Sequence, residues 1–193
     1  MTVGAPVRRR NALRSPVRAL VGIRRERRAD PYDFDGVAMS EERVSVDVAQ
    51  RERFHFEVRF TGTDLPVMLT DEPPPLGLGS GPNPVRLLAA SVAHCLAASL
   101  LFALEKQRID PQPVAAHIDV DMVQNETGRV RVGSMAVQLT IGKAWADLAQ
   151  ASRALEQFDA YCVVTESVRA GIPVSVDVCD VNGAVLADVQ TSL

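Results

Sequence analysis

Cysteine is scarce in this sequence, and its placement excludes several kinds of protein. The 193 residues include only three cysteines, Cys95, Cys162 and Cys179, which lie far apart and form no Cys-x-x-Cys pair. Small secreted domains held by disulfides carry a denser framework, so we expect a reducing, cytoplasmic compartment. In that compartment a pair of cysteines is more often catalytic or redox-sensing than structural.

Motifs of several common enzyme and metal sites are missing as well. The glycine-rich residues 77–81 are not followed by the Gly-Lys-Ser/Thr of a phosphate loop. Ser80 does not stand in a Gly-x-Ser-x-Gly nucleophile elbow. His94, Cys95 and Cys179 lack the spacing of zinc ligands. We therefore expect no metal site.

Charge of one sign is concentrated at the N-terminus. Residues 1–29 hold nine arginines and one acid, which leaves 12 basic and 23 acidic residues from the totals of 21 and 24. We interpret residues 1–38 as a basic, disordered extension and residues 39–193 as one domain. A transit peptide, or a natural start at Met39, are the alternatives. The acidic domain argues against nucleic acid as a partner.

One long apolar stretch dominates the domain. From Leu87 to Leu104 only Ser91, His94 and Ser99 interrupt the apolar residues. Eighteen residues lie at the lower limit for a membrane span. Strand-like segments on both sides favour instead a core helix wrapped by a sheet, with no membrane.

The remaining pattern predicts an α+β fold with antiparallel sheet and helices packed against it. Alternation predicts a hairpin with strands at 44–48 and 54–60 joined through Ala49–Glu52, and a third strand at 67–69. After the apolar helix, the predicted elements are strands at 116–123 and 130–141, a helix at 146–158, a short helix from Cys162 to Gly171, and a strand at 172–179. The last strand would place Cys179 on its polar face, away from the core.

Cys95 and Cys162 are the candidate reactive residues. A lone buried cysteine is usually a packing residue. Cys162, however, falls at the predicted start of a helix, where the helix dipole favours a thiolate. If the two thiols approach, one could be oxidised to a sulfenic acid and the other could condense with it to a disulfide. The spacing leaves both readings open, a redox pair or two packing cysteines.

Three stretches resemble the OsmC/Ohr family of peroxide-reducing proteins. GPNPVRLLAASVAHCLAASLLFAL is similar to the family's cysteine helix, and FDAYCVVTESVRAGIPVSVDV is similar to its second-cysteine segment. LTDEPPPLG followed by GPNP resembles the loop before the first cysteine in OsmC-like members. The resemblance extends over residues 41–180.

The resemblance implies an OsmC-like fold in an intertwined homodimer with active sites between subunits. It implies that Cys95 is the peroxidatic cysteine and Cys162 the resolving one. The implied reaction is reduction of organic hydroperoxides, with hydrogen peroxide as a second possibility. An external dithiol would regenerate the pair, and no metal or organic cofactor would be needed.

One position departs from the family pattern. A glutamate usually follows the Asn-Pro that opens the cysteine helix, where it helps to hold an arginine near the thiol; here Val85 stands in its place. Arg51 or Arg53 matches the origin of that arginine, whereas Arg86 lies about 180° around the helix from Cys95. Val85 favours an alternative: an OsmC-fold protein that binds a small ligand or senses oxidants without efficient peroxidase activity. A third reading is a purely structural dimer.

Overall fold

The computed structural model describes residues 43–144 and 151–189. The predicted extension at residues 1–38 lies outside the described residues, as does the first part of the helix predicted at 146–158. The described residues form two sheets and one long helix, with shorter helices, which confirms the predicted α+β class.

The first sheet is a three-stranded antiparallel meander in the order β1 (Val46–Glu52), β2 (His55–Phe60), β3 (Met68–Thr70). The turn of its hairpin lies at Arg53 and Phe54, where Arg53 adopts a φ of 45°. The predicted joint Ala49–Glu52 is therefore wrong, because these residues lie within β1. All of β1 is exposed in the single chain. An exposed strand can carry polar residues on both faces, and such a polar run looks like a turn in the sequence.

The apolar stretch forms helix α1 (Pro84–Lys106). Asn83 caps its start, since its side-chain oxygen accepts a hydrogen bond from the Arg86 N–H at 3.0 Å. Pro84 occupies the first helical position, where its missing N–H costs no hydrogen bond. Lys106 lies in the last turn, where a cation interacts favourably with the helix dipole. The capping residues thus fix where the helix begins.

The second sheet has the strand order β4 (Val114–Gln124), β5 (Val130–Ile141), β6 (Val174–Cys179), β7 (Val185–Val189). β4 with β5 and β6 with β7 are antiparallel, but β5 and β6 run parallel. Between these two strands the chain passes through helix α2 (Ser152–Leu155), a 3-10 turn (Asp159–Tyr161) and helix α3 (Val163–Arg169). This long connection brings the chain back to the end of the sheet where β5 begins, so β6 can run parallel to β5. β7 is not among the elements predicted from the sequence.

The core lies between α1 and the second sheet. α1 contributes fully buried side chains four residues apart, so they lie along one face. β5 and β6 contribute alternate residues from the face that packs on α1. The buried residues are Val92, Leu96, Leu100 and Leu104 from α1, Met135, Val137, Leu139 and Ile141 from β5, and Val174, Val176 and Val178 from β6.

The opposite side of α1 is open in the single chain. Ala90, Ser91, His94 and Ala98 are exposed. The helix is long and apolar enough to cross a membrane, a test that core helices of soluble proteins also pass. Its buried leucines pack on the second sheet, which is the arrangement of a core helix.

Cys179 lies on the predicted face of β6, but it is buried there. It is outside the core cluster, yet its exposed fraction is only 4%. The pairing of β5 with β6 stays regular through Cys179, which places Cys179 on the same face of the sheet as Gln138. Gln138 Nε2 donates a hydrogen bond to Cys179 Sγ at 3.7 Å.

Candidate functional site

Helix α1 positions Cys95 at the boundary between the core and the open face. Cys95 is half-buried and packs against the core cluster, next to the fully buried Leu96. Exposed His94 precedes it and points in another direction, since consecutive helical residues lie about 100° apart. The Cys95 thiol is therefore held by a rigid element and is partly accessible.

Cys162 is the residue that starts helix α3. It follows the 3-10 turn Asp159–Tyr161, adopts an extended backbone with φ −83° and ψ 93°, and is fully buried. Its Sγ donates a hydrogen bond to Oγ1 of Thr165 at 2.9 Å. Thr165 is also fully buried. The predicted position at a helix N-terminus is thus confirmed.

The structure brings the two predicted cysteines together. Helix α1 packs against α3, and the Cys95 side chain is near enough to Cys162 to contribute to the raised pKa of the Cys162 thiol. Both side chains are free thiols, as is Cys179. Two free thiols close together are a candidate pair for a disulfide, which needs Cα atoms no more than about 7 Å apart.

The protonation of Cys162 differs from the expectation. Burial first, and then the hydrogen bond with Cys95, raise the pKa of the Cys162 thiol, which reaches about 11. The hydroxyl and the N–H of Thr165 act in the opposite direction. The expected thiolate is therefore wrong for the reduced resting state, because desolvation of a fully buried thiol outweighs the dipole of a seven-residue helix.

A mostly buried arginine, Arg169, ties together the segment around Cys162. Nη1 of Arg169 pairs with Asp159 Oδ2 at 2.8 Å and with Glu166 Oε1 at 2.9 Å. The side chains of Arg169 and Asp159 are 10% and 14% exposed. These contacts tie the turn before Cys162 to the end of α3. Sequence reasoning missed Thr165 and Arg169, although their spacing of three and seven residues from Cys162 places all three near one helix face.

The two candidate arginines lie in the first sheet. Arg51 and Arg59 both pair with Glu57, and the hydrogen bond from Arg51 is the main reason that the pKa of Glu57 lies below its usual value. Arg53 Nη2 donates to the carbonyl of Leu76 at 3.4 Å. Among the described residues, the hydrogen bonds of Arg51 and Arg53 do not go to Cys95. Their assignment to the site stays a prediction.

The first turn of α1 has no acidic residue that could hold an arginine near the Cys95 thiol. Val85 is half-buried in the first turn, where the family pattern has glutamate, and Arg86 is exposed. Within residues 43–144 and 151–189, no group of three His, Cys, Asp or Glu side chains is placed to hold a metal ion.

A groove of about 520 Å³ lies between the C-terminal half of α1 and the segment 153–161, and neither Cys95 nor Cys162 lines it. Its lining includes Tyr161, which precedes Cys162, and Phe102, which lies two helical turns after Cys95 on the same face of α1. Lys106 and Arg153 contribute positive charge at the groove, and the Lys106 amine lies 6.0 Å from the Phe102 ring centroid.

Comparisons with known proteins identify the family and the fold. The family model described as OsmC-like protein matches residues 77–177. The fold is similar to that of an OsmC-like protein from Mycoplasma pneumoniae, with a TM-score of 0.61 at 12% identity, over 73% of this chain and 99% of that chain.

Two further structures are named as organic hydroperoxide resistance proteins. OhrB of Bacillus subtilis gives a TM-score of 0.56 at 18% identity, over 72% of this chain and 99% of that chain. OsmC from Legionella pneumophila gives 0.56 at 20% identity, over 71% and 96%. At such identities the likeness establishes the fold alone. No match among curated proteins reached significance. Because the family model covers more than half of the sequence and both cysteines, the chain belongs to the OsmC-like protein family.

Proposed function

We propose that this protein is a cysteine-based peroxidase that reduces organic hydroperoxides in defence against oxidative stress. The observation that carries the proposal is the proximity of Cys95 and Cys162 on packed helices, the first half-buried and the second fully buried. The names of the hydroperoxide resistance proteins with the same fold point in the same direction. Hydrogen peroxide would be a second substrate.

The proposed cycle has three steps. The Cys95 thiolate attacks the O–O bond, becomes a sulfenic acid and releases an alkoxide, which takes up a proton to give the alcohol. The Cys162 thiolate then attacks the Cys95 sulfur, forming the disulfide and releasing hydroxide, which is protonated to water. An external dithiol reduces the disulfide by exchange. This cycle uses no metal or organic cofactor.

The proposed molecule is an intertwined homodimer in the cytoplasm. Val46 and Val48 of β1 are 46% and 61% exposed, and the open face of α1 is apolar around Ala90 and Ala98. A second copy would cover these surfaces, which fits the expectation that large exposed apolar patches mark interaction sites.

In that dimer, Arg51 or Arg53 would supply the positive charge that a reactive thiolate needs. Both lie at the end of the β1–β2 hairpin, and the Arg51 side chain is 61% exposed. Glu57 would hold Arg51 in position, a role that the family pattern gives to the glutamate replaced here by Val85.

Mass spectrometry of the reduced protein after one equivalent of an organic hydroperoxide tests the proposal. We expect a Cys95–Cys162 disulfide within each chain, lost in Cys95→Ser and in Cys162→Ser. The Cys162→Ser variant should instead retain an extra oxygen on Cys95. Free thiols at both positions after the reaction time, or oxidation confined to Cys179, would contradict a peroxidase.

A second candidate function is supported by Val85 and by the arginine contacts. A protein of this fold without a cation beside Cys95 would sense oxidants or bind a small apolar ligand, and would react slowly with peroxides. A time course of the same experiment separates the two functions. If Val85→Glu speeds formation of the Cys95–Cys162 disulfide tenfold or more, the natural protein is the sensing or binding protein.

A further inference from the structure

The hydroxyl of Thr165 accepts a hydrogen bond from the buried thiol of Cys162. The Cys162 Sγ to Thr165 Oγ1 distance is 2.9 Å. Both residues are fully buried, so water does not compete for either group in the single chain. Thr165 lies three residues after Cys162, which places the two side chains on the same side of α3.

A hydroxyl can serve both protonation states of this thiol. In the reduced state the Cys162 S–H donates to Oγ1. A hydroxyl carries one donor and two acceptor positions, so rotation about the C–O bond lets the same group donate to a thiolate. A valine of the same shape can do neither. Burying an ion without hydrogen-bond donors is costly, so the loss of the hydroxyl would leave the sulfur with fewer of them.

We infer that Thr165 is a positioning residue for the second cysteine, and that its hydroxyl stabilises the Cys162 thiolate when that thiolate attacks the sulfur of Cys95. This inference deepens the proposed function but depends only on the geometry of the pair. Thr165 also lowers the pKa of Cys162 through its hydroxyl and its N–H, against the larger effect of burial. The N–H contribution would survive any side-chain substitution.

An aromatic disulfide such as 5,5′-dithiobis(2-nitrobenzoate) isolates the step without any peroxide. Cys95 thiolate attacks the reagent, forming a mixed disulfide and releasing one coloured aromatic thiolate. Cys162 thiolate then attacks the Cys95 sulfur, forming the Cys95–Cys162 disulfide and releasing a second aromatic thiolate, while its proton goes to the buffer. Cys179→Ala removes the third thiol, and Cys162→Ala should release one equivalent only, which assigns the first release to Cys95.

Thr165→Val and Thr165→Ser are the matched variants. Loss of one hydrogen bond to an ion lowers the thiolate fraction about tenfold. The more basic thiolate recovers about threefold through its greater nucleophilicity, so we expect the second release to slow about threefold in Thr165→Val. The first release should be unchanged. Thr165→Ser keeps the hydroxyl and should restore the second rate, because only the methyl group is lost.

A packing role would give the reverse pattern, since valine preserves the volume and serine does not. A normal second release in Thr165→Val, or equal slowing in both variants, would overturn the inference. If far-UV circular dichroism shows that Thr165→Val does not fold, Thr165→Ala against Thr165→Ser isolates the same hydroxyl. Because no peroxide takes part, a protein that fails to reduce hydroperoxides still yields a result.

Discussion

At the scale of single residues, the buried thiol of Cys162 couples the chemistry to the stability of the fold. Burial raises its pKa to about 11, from an ordinary value near 9.0. The folded protein therefore binds the Cys162 proton more tightly than the unfolded chain does. Such a group contributes fully to the free energy of unfolding when the pH is below its pKa in the unfolded chain. The contribution is lost as the pH rises through its pKa in the folded protein.

This coupling predicts a loss of stability in mild alkali. Between pH 9 and 11 the unfolded chain ionises Cys162 while the folded protein does not, so the free energy of unfolding should fall by up to about 2 kcal/mol. Urea unfolding at pH 8, 9, 10 and 10.5, with a phosphine to keep the thiols reduced, measures it. Cys162→Ala is the control: it is less stable at every pH, but its difference from the parent should shrink as pH rises. A constant difference would contradict the prediction.

At the scale of elements, the loop before α1 is built around one buried carboxylate. Oδ2 of Asp71 accepts hydrogen bonds from Leu78 N at 2.9 Å, Ser80 N at 3.2 Å and Ser80 Oγ at 2.9 Å. Burial alone would raise the pKa of Asp71, but the hydrogen bonds from Ser80 and Leu78 outweigh it and hold the pKa below its usual value. The loop thereby delivers the chain to Asn83, where α1 and its cysteine begin.

This packing predicts that Gly77 cannot be replaced by a larger residue. A Cβ at Gly77 would overlap Oδ1 of Asp71 and the carbonyl of Glu72, so Gly77→Ala should cost about 2 kcal/mol of stability. Gly171 is the matched control, because a Cβ there meets no atom within 4 Å and its φ suits an ordinary residue. We expect Gly171→Ala to be neutral or to add about 0.5 kcal/mol. Denaturant midpoints measure both, and equal midpoints for the two variants would show that the loop adjusts freely.

At the scale of the whole molecule, the first sheet presents two faces of different character. Val46, Val48, Phe56, Val58 and Phe60 share one face, and charged residues including Glu57 and Arg59 share the other. Within the described parts of the chain, neither a helix nor the second sheet packs extensively against this sheet. On this apolar face Val46 and Val48 are 46% and 61% exposed, which agrees with the proposed dimer.

The dimer predicts that a charge on the apolar face separates the subunits. The parent protein should have a mass near twice 20.9 kDa by light scattering after size exclusion. Val48→Lys should shift it toward one chain, because the interface would have to bury an unpaired charge. Ala49→Lys places the same charge on the opposite face of β1 and should leave the dimer intact. A parent that elutes as a single chain, or dissociation by both substitutions alike, would contradict the proposed interface.

The sequence by itself determined the features that depend on local chemistry. The apolar run and its Asn-Pro start determined α1, and the alternation in residues 130–141 determined β5, since both signals lie in neighbouring residues. The position of Cys162 at a helix start could also be read locally. The turn of the first hairpin could not, because β1 is exposed in the single chain and its polar residues imitate a joint.

Only the tertiary structure decided the properties that depend on residues distant in the chain. The contact of Cys95 with Cys162 requires α1 to pack on α3, across 66 intervening residues that give no local signal of distance. The burial of Cys179 on the face away from the core cluster also depends on residues distant in the chain, among them Gln138. The helix dipole at Cys162 was readable from the sequence, but desolvation is a property of the finished core, and it decided that the thiol keeps its proton.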